Sequence, residues 1–333
     1  MKIAIVKFSA LGDIVHAMVV LQFIKKYNPE IVIDWFVEED YKEILEFNPD
    51  INKVHVINIK KAKKKKSFLL LFSQLKKIKK FGPYDLVIDM QGLIKSAIIS
   101  RLTHSAVTLG FYKTSTRERF ASIFYNKTFK YGYSENVIER NLAIISFALG
   151  LNANVQEINH KHPFLYVNQK YSDKNISQNK KNIILIPGSS DKSKCYPISS
   201  LARLTTLIDA NFLVIWGNSQ EKVMAEQIKI QSPTINICKK LSIESLISLI
   251  SQVELVIGPD TGPTHMAWAL NIASITIFGP TPGYRNTYET KINKIIESES
   301  RVNPFKINKN DMSISEIKVK NIVSIANKLI EKI

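Results

Sequence analysis

The sequence predicts an α/β protein made of two doubly wound domains. Short apolar runs alternate with longer helical patterns almost throughout, as they do where strands of a mainly parallel sheet are joined by helices. At 333 residues the chain exceeds one typical core. The runs also fall into two sets of five or six, separated by a polar stretch at 168–182 that reads as a linker region. The first set is 2–6, 32–37, 53–57, 86–89 and 107–110. The second is 182–186, 212–216, 235–237, 255–257, 272–278 and 293–296. There is no internal sequence repeat. Ligands of open α/β sheets bind beyond the carboxyl ends of the strands, so two such domains facing each other would place a site in the cleft between them.

The first strand runs into Lys7-Phe8-Ser9-Ala10-Leu11-Gly12-Asp13. Gly12 permits a tight turn, and Asp13 then stands at the mouth of the next helix. A carboxylate there could take a proton from a hydroxyl nucleophile, or it could simply cap the helix; spacing leaves both open. No G-x-G-x-x-G follows the strand, so a dinucleotide cofactor has no support. Between Lys60 and Lys80 there are ten lysines, flanking the apolar patch Phe68-Leu69-Leu70-Leu71-Phe72. Basic plus apolar is the composition of a membrane-surface element, and equally of a solvated loop followed by a core-facing helix.

In the second half, the strand at 182–186 ends in Pro187-Gly188-Ser189-Ser190, with Lys192 and Lys194 close behind. Backbone and hydroxyl donors with a lysine point charge suit phosphate, although the Walker A spacing is missing. Beyond the strand at 212–216 comes Glu221, a carboxylate that could accept from a ribose diol or be a solvated helix-start residue. The strand at 255–257 leads into Asp260-Thr261-Gly262-Pro263-Thr264-His265 and then an apolar helical pattern. Such a turn aims free N–H groups and the positive end of a helix dipole at one point, a seat for phosphate. Its plainer alternative is a strand–helix turn with Asp260 as N-cap. The last segment, with Ile322, Ile325, Ala326, Leu329, Ile330 and Ile333, is an amphipathic helix.

Composition narrows the classes of function. Hydrophobic residues make up 45% of the chain, and no apolar run approaches the roughly 20 residues that span a bilayer. The first residues are too poor in apolar character for a signal peptide, and Cys195 and Cys238 allow neither a disulfide framework nor a zinc site. A cytoplasmic location is expected. The 46 basic against 29 acidic residues leave a net charge of +17, which favours anionic partners. No recognisable nucleic-acid module is present, so that partner is not expected.

Four stretches, taken in order, resemble one family: Val6-Lys7 through Gly12-Asp13-Ile14-Val15-His16, Asp34-Trp35-Phe36-Val37-Glu38-Glu39, Ile88-Asp89-Met90-Gln91-Gly92-Leu93-Ile94-Lys95-Ser96, and the Asp260-to-His265 loop. The chain resembles the lipopolysaccharide heptosyltransferases over nearly its whole length, most closely the heptosyltransferase I branch. The resemblance implies a GT-B fold: an acceptor domain at 1–165, a nucleotide-sugar domain at 166–312, and a final helix at 313–333 packing back on the N-terminal domain. It implies an inverting transfer of L-glycero-D-manno-heptose from ADP-heptose to the inner Kdo of Kdo2-lipid A, with no metal and no cofactor. Asp13 would be the catalytic base. Ser189, Ser190, Lys194, Thr261, Gly262 and His265 would hold the diphosphate, Glu221 the ribose and Leu241 the adenine, with Asp260 orienting the donor sugar. Gly12, Lys60, Lys61, Lys63, Lys64, Gln91 and Arg117 would serve the acceptor. The enzyme would be a monomer, peripheral on the anionic cytoplasmic face of the inner membrane.

The chain departs from the family's pattern in four places, one of them the interior of the loop Ser189 to Lys194. Its basic acceptor cluster is all lysine rather than arginine, which removes the bidentate fork. Ala10 replaces a hydroxyl residue near Asp13, and Pro263 stands where leucine is common. Rival readings are heptosyltransferase II or a transferase with another acceptor, a GT-B-like nucleotide-sugar epimerase, and a basic protein that binds polyanions or membranes without catalysis. The last would be strongly salt-dependent and indifferent to Asp13→Ala.

Overall fold

The computed structural model describes residues 1–58 and 68–332, with backbone only at 68–72. The lysines at positions 60, 61, 63 and 64 lie outside the described residues. Two compact units make up the chain, Met1–Phe164 and Leu165–Ile333.

The first unit is a six-stranded sheet of order β3-β2-β1-β4-β5-β6, with every neighbouring pair parallel. Its strands are β1 (Lys2–Val6), β2 (Val32–Glu38), β3 (Lys53–Ile57), β4 (Tyr84–Asp89), β5 (Ser105–Phe111) and β6 (Lys127–Phe129). The helices are α1 (Leu11–Met18), α2 (Val20–Tyr27), α3 (Glu43–Glu46), α4 (Phe68–Ile78), α5 (Ile94–Leu102) and α6 (Val137–Leu149). A parallel sheet is covered on both faces, so its central strands read as unbroken apolar runs: Ile3, Ala4, Ile5 and Val6 are all fully buried. Helix α6 shows both end signals. Asn136 accepts from the N–H groups of Ile138 and Glu139, and Gly150 closes the helix in the left-handed region at φ 67°.

The second unit repeats the plan with the order β12-β11-β10-β7-β8-β9, again all parallel. Its strands are β7 (Asn182–Leu185), β8 (Asn211–Val214), β9 (Asn236–Ile237), β10 (Leu255–Pro259), β11 (Ala273–Phe278) and β12 (Asn293–Glu297). Its helices are α7 (Ile198–Leu207), α8 (Ser219–Gln231), α9 (Ile243–Ile250), α10 (Gly262–Ala269), α11 (Gly283–Asn286) and α12 (Val319–Ile330). The topology is thus duplicated although no sequence repeat is visible. All eleven expected strands are present. The unexpected one, β6, has only the three residues Lys-Thr-Phe and carries no periodicity to read.

Two expectations are corrected. The polar stretch at 168–182 is fastened to the second unit, because the Tyr171 N–H donates to Ser248 Oγ (2.8 Å) and the N–H groups of Asn168 and Gln169 donate to Glu244 (2.7 and 3.0 Å). The last helix, α12, expected on the N-terminal domain, turns its apolar stripe into the second unit. It buries Ile322, Ala326 and Leu329 in the core of the second unit with Leu201, Leu204, Ile275 and Ile277. Its apolar stripe fits the face of the nearest sheet, and the Tyr196 hydroxyl, donating to the Ile317 carbonyl at 2.5 Å, pins the chain leading into it.

The motif residue Asp34 proves to be architectural. Its buried carboxylate accepts from Asn52 Nδ2 (2.8 Å) and the Tyr84 hydroxyl (2.8 Å) and lies 3.0 Å from His55 Nε2, tying β2 to its neighbour β3 and, past the end of β1, to β4. Burial by itself would push the carboxyl up, but hydrogen bonds from His55, Asn52 and Tyr84 outweigh it and hold it well below the usual carboxylate range. A depressed folded-state value gives stability that is complete above the ordinary carboxylate range and is lost as the pH falls toward the depressed value. Asp34→Ala is therefore expected to cost about 2 kcal/mol at neutral pH by stranding buried donors. In thermal melts, the gap between wild type and variant should narrow as the pH drops below about 4.

Candidate active site

Each sheet reverses direction between two central neighbours, β1 and β4 in the first unit and β7 and β10 in the second. The crevice beyond such a switch point is where open α/β sheets bind ligands. The expected site residues concentrate at these two places.

At the first, β1 leads through residues 7–10 into α1. Asp13 occupies the third helical position, and its Oδ2 accepts from the Ala10 N–H at 3.1 Å. The capping alternative is thereby realised in part: Ala10 has no hydroxyl to cap with, and the acid reaches back instead. A carboxylate has capacity for further hydrogen bonds, so capping and proton acceptance are compatible. Gly12 lies inside the first helical turn, and the left-handed conformation a tight turn needs occurs at Gly92 instead, at φ 68°.

Gln91 does something the sequence did not suggest. Its Oε1 accepts from both the Phe8 N–H (3.0 Å) and the Ser9 N–H (3.2 Å), clamping the loop that carries Asp13. Gln91 is itself held from below. Asp89, at the end of β4, accepts with Oδ1 from the N–H groups of Gln91 (2.8 Å) and Gly92 (3.0 Å), and with Oδ2 from the Tyr125 hydroxyl (2.8 Å). Gly110 is small for this reason, since a Cβ there would come within 2.3 Å of the Tyr125 ring. Burial pushes the Asp89 carboxyl up even though Ser96, Gly92, Tyr125 and Gln91 all hydrogen-bond to it, for none of them brings a positive charge. Lys7 is buried beside this relay and donates to the Met90 carbonyl at 3.1 Å.

Arg117 is exposed on the loop after β5. The loop is anchored by Arg140 of α6, whose guanidinium donates to the carbonyls of Ser115 (2.7 Å), Tyr131 (2.9 Å) and Gly132 while lying 4.5 Å from the centre of the Phe111 ring. Nothing in the sequence marks Arg140 for this task, because a buried arginine inside an apolar helix declares itself only through its partners.

At the second switch point, the structure gathers Ser189, Lys194, Asp260 and His265. The Asp260 carboxylate is buried, with Oδ2 at 2.8 Å from Lys194 Nζ and Oδ1 at 3.0 Å from His265 Nε2. Thr281 Oγ1 and Asn286 Nδ2 also donate to it, at 3.1 and 3.3 Å, while Ser189 Oγ donates to its main-chain carbonyl at 3.1 Å. Burial opposes ionisation of Asp260, but the Lys194 charge and the His265 hydrogen bond prevail and hold its carboxyl well below the usual range. Asp260 is not the N-cap; that position falls to Thr261, and Gly262 and Pro263 open α10. The Thr264 hydroxyl is turned inward to the Pro259 carbonyl at 2.9 Å, so the N-terminus of α10 keeps its dipole while one of its hydroxyls is spent on packing.

Lys194 is presented by a short 3-10 turn, Lys192–Lys194, capped by Asp191, whose Oδ1 accepts from the Ser193 N–H and hydroxyl at 3.2 and 3.0 Å. Lys309 braces Asp191 from the other side at 2.9 Å. Ser190 is exposed at the same edge. Glu221, in the first turn of α8, lies against Gly188 and accepts from the Gly217 N–H at 2.6 Å; a Cβ on Gly188 would meet its Cγ at 2.3 Å. Leu241 is half-buried just after β9, ahead of α9. The sequence reading missed Asp191, Thr281 and Asn286. The run Gly279-Pro280-Thr281-Pro282-Gly283 directly after an apolar strand was the available signal for the latter two.

Cys238 is buried and its thiol is pushed up to about 12 by burial and by Asp173 nearby; burial also raises that of Cys195. Among the described residues, no cluster of His, Cys, Asp and Glu could hold a metal ion.

A family profile described as glycosyltransferase family 9 (heptosyltransferase) matches residues 72–312. The chain belongs to this family. It is a glycosyltransferase with a GT-B fold. It is 41% identical to lipopolysaccharide heptosyltransferase 1 of Campylobacter coli over 99% of both chains. Against lipopolysaccharide heptosyltransferase 1 of Salmonella typhimurium the identity is 27%, covering 86% of this chain and 92% of the other. The Escherichia coli heptosyltransferase WaaC with ADP superposes with a TM-score of 0.80 at 23% identity, covering 99% of this chain and 100% of that one. At that identity, the structural likeness speaks for the fold.

The clamp on residues 8 and 9 makes a sharp prediction about this transferase. Gln91→Met keeps the side chain's bulk but strands two N–H groups and frees the Asp13 loop, so stability should drop by about 1–2 kcal/mol and kcat should fall at least about tenfold at a temperature where the variant is still folded. Gln91→Glu keeps an oxygen facing both N–H groups and should retain most of kcat. If Gln91 instead contacts an anionic acceptor through its amide nitrogen, the glutamate variant will show a raised acceptor KM.

Proposed function

We propose that this glycosyltransferase moves L-glycero-D-manno-heptose from ADP-heptose onto the inner Kdo of Kdo2-lipid A, with inversion at the anomeric carbon, during assembly of the lipopolysaccharide inner core. The observation that carries the reading is the Lys194–Asp260–His265 constellation at the β7/β10 switch point, in a chain of the heptosyltransferase family. The full-length similarity to proteins named lipopolysaccharide heptosyltransferase 1 supports heptose as the sugar, and related structures contain ADP and an ADP-heptose analogue.

The donor half of the reaction follows from the second unit. The Lys194 ammonium and the N-terminal N–H groups of α10 supply positive potential where the diphosphate acquires charge as the C1–O bond breaks. Asp260 keeps the ammonium and the His265 ring in place before substrate arrives, and a sugar hydroxyl takes the place of Thr281 or Asn286, the two longest of the four hydrogen bonds its carboxylate accepts. Glu221, between Gly188 and Gly217, accepts from the ribose diol, and Leu241 covers the adenine. Ser189, Ser190, Thr261 and Gly262 complete the phosphate contacts. These groups do the work a divalent cation does in other transferases, so none is required.

On the acceptor side, the Asp13 carboxylate takes the proton as the acceptor oxygen forms its bond to C1, and ADP departs from the opposite face. Lys60, Lys61, Lys63, Lys64 and Arg117 hold the acceptor's carboxylates and phosphates. The acceptor is a membrane lipid, so the enzyme works as a peripheral protein at the anionic cytoplasmic face of the inner membrane. No helix among the described residues is long and apolar enough to cross a bilayer.

Mass spectrometry of Kdo2-lipid A incubated with enzyme and ADP-heptose should show a gain of one heptose. Asp13→Ala should lower the rate by about 10²-fold or more while leaving ADP binding intact. Transfer only to an already heptosylated core would sink the Kdo assignment and favour the activity of heptosyltransferase II. Lys194→Ala should raise the donor KM and lower kcat, since it removes charge from ground and transition states alike.

A further inference from the structure

Residues Arg119–Phe124 form a single 3-10 helix in the crossover between β5 and β6. In a 3-10 helix, positions three apart eclipse one another. Ala121 and Phe124 accordingly share the inward face, where they pack with Ala97 and Tyr125. Phe120 and Ile123 share the outward face and are 73% and 72% exposed. Among the described residues, only Ile230 is a more exposed large apolar side chain.

Their surroundings are cationic. Arg117 and Arg119 are exposed on the same turn, and Lys113 and Lys127 are exposed on either side of it in sequence. The one acid in the turn, Glu118, is engaged, accepting from the Ile94 N–H at 2.7 Å. That bond seats the turn on the start of α5, where Ile94 adds a further partly exposed apolar side chain. Two apolar side chains projecting from a turn that also carries exposed arginine form the pattern of an element that lies in a headgroup region. The apolar tips reach the acyl boundary and the cations meet lipid phosphates. A hydrophobic core gains nothing from Phe120 or Ile123, and a fully aqueous surface is poorly served by them.

We propose that the Arg119–Phe124 turn inserts Phe120 and Ile123 into an anionic bilayer, with Arg119 on the phosphates. This rests on the reading that the acceptor is a lipid in that bilayer. The turn follows Arg117 at the carboxyl end of β5, and Tyr125 directly after it holds Asp89, on which the Gln91 clamp stands. Insertion would thus seat the acceptor-side edge of the sheet at the headgroup plane. Attachment would then be only partly electrostatic and would survive, in part, a salt wash that strips a purely ionic complex.

The test uses the full-length protein with Phe120→Ser/Ile123→Ser and, separately, Arg119→Gln. Flotation is measured with vesicles of phosphatidylethanolamine and phosphatidylglycerol, and with phosphatidylcholine alone, at low and high salt. Transfer is measured to Kdo2-lipid A in vesicles and to its water-soluble de-acylated form. Wild type should float with the anionic vesicles and keep part of its binding at high salt. The double variant should lose that residual binding about tenfold or more, and lose transfer to the vesicle acceptor, while transfer to the soluble acceptor is unchanged. Arg119→Gln should weaken binding chiefly at low salt. Flotation of the double variant equal to wild type overturns the proposal, as does equal loss of transfer to both acceptors. A wild-type dimer that becomes monomeric on Phe120→Ser overturns it too, by showing that a second copy covers the patch. A wild type that floats as expected but transfers to neither acceptor would refute the proposed reaction and leave the membrane contact standing.

Discussion

Laying β4 directly against β1, and β10 against β7, is the constraint on which both halves of this enzyme depend. In each sheet the chain first winds outward one way and then returns to pair on the other side of its first strand, in registers such as Val6 opposite Asp89 and Ile257 opposite Leu185. Two loops that are distant in sequence then leave the sheet side by side and in opposite directions. The crevice beyond such a pair of loops is where open α/β sheets take their ligands, because neither crossover covers it. Ser9 with Gln91, and Ser189 with Asp260, are the pairs brought together in this way.

Three buried carboxylates in this frame show how the same burial gives different chemistry. Asp89 is surrounded by neutral donors and its carboxyl is pushed up, as desolvation requires. Asp34, near His55, and Asp260, beside Lys194 and His265, are pushed down, because their partners recover more than burial removes. The division follows use. Asp89 supports a loop through main-chain bonds, Asp34 ties strands together, and Asp260 is kept ionised at the edge where a charged substrate is proposed to bind. A buried carboxylate is thus no marker of catalysis until its partners are known.

Much of the site was legible in the sequence because strand ends announce themselves. Apolar runs fixed where each strand stops, and polar residues bunched just beyond, at Asp13, at Ser189 to Lys194 and at Asp260 to His265, are easily seen. What escaped were the residues that act by holding others. Gln91 reads as an acceptor contact because it follows a strand, but its oxygen is spent on the Phe8 and Ser9 N–H groups. Thr281, Asn286 and Arg140 act through partners twenty or more residues away or through a carbonyl that any residue could have supplied, and Asp191 caps a turn two residues on whose importance lies in the lysine it presents. A polar run after a strand can mark such residues, but not which side chain each one holds. The strand β6 escaped for a related reason, being too short for any period and held by pairing with β5 alone.

The sequence by itself determined the α/β class, two domains, eleven strands and the charged or hydroxyl-bearing residues at their ends, since these follow from hydrophobic periodicity and turn chemistry within about ten residues of chain. It could not assign the final helix. The apolar stripe of α12 would suit either sheet, and the structure buries it in the second. Nor could it separate the residues meant for substrate from those that hold them, or see that Phe120 and Ile123 face outward while Ala121 and Phe124 face in. Only the tertiary structure decides such matters. A side chain's partner is set by which strands become neighbours, and that depends on the folding of the whole sheet rather than on any stretch of the chain.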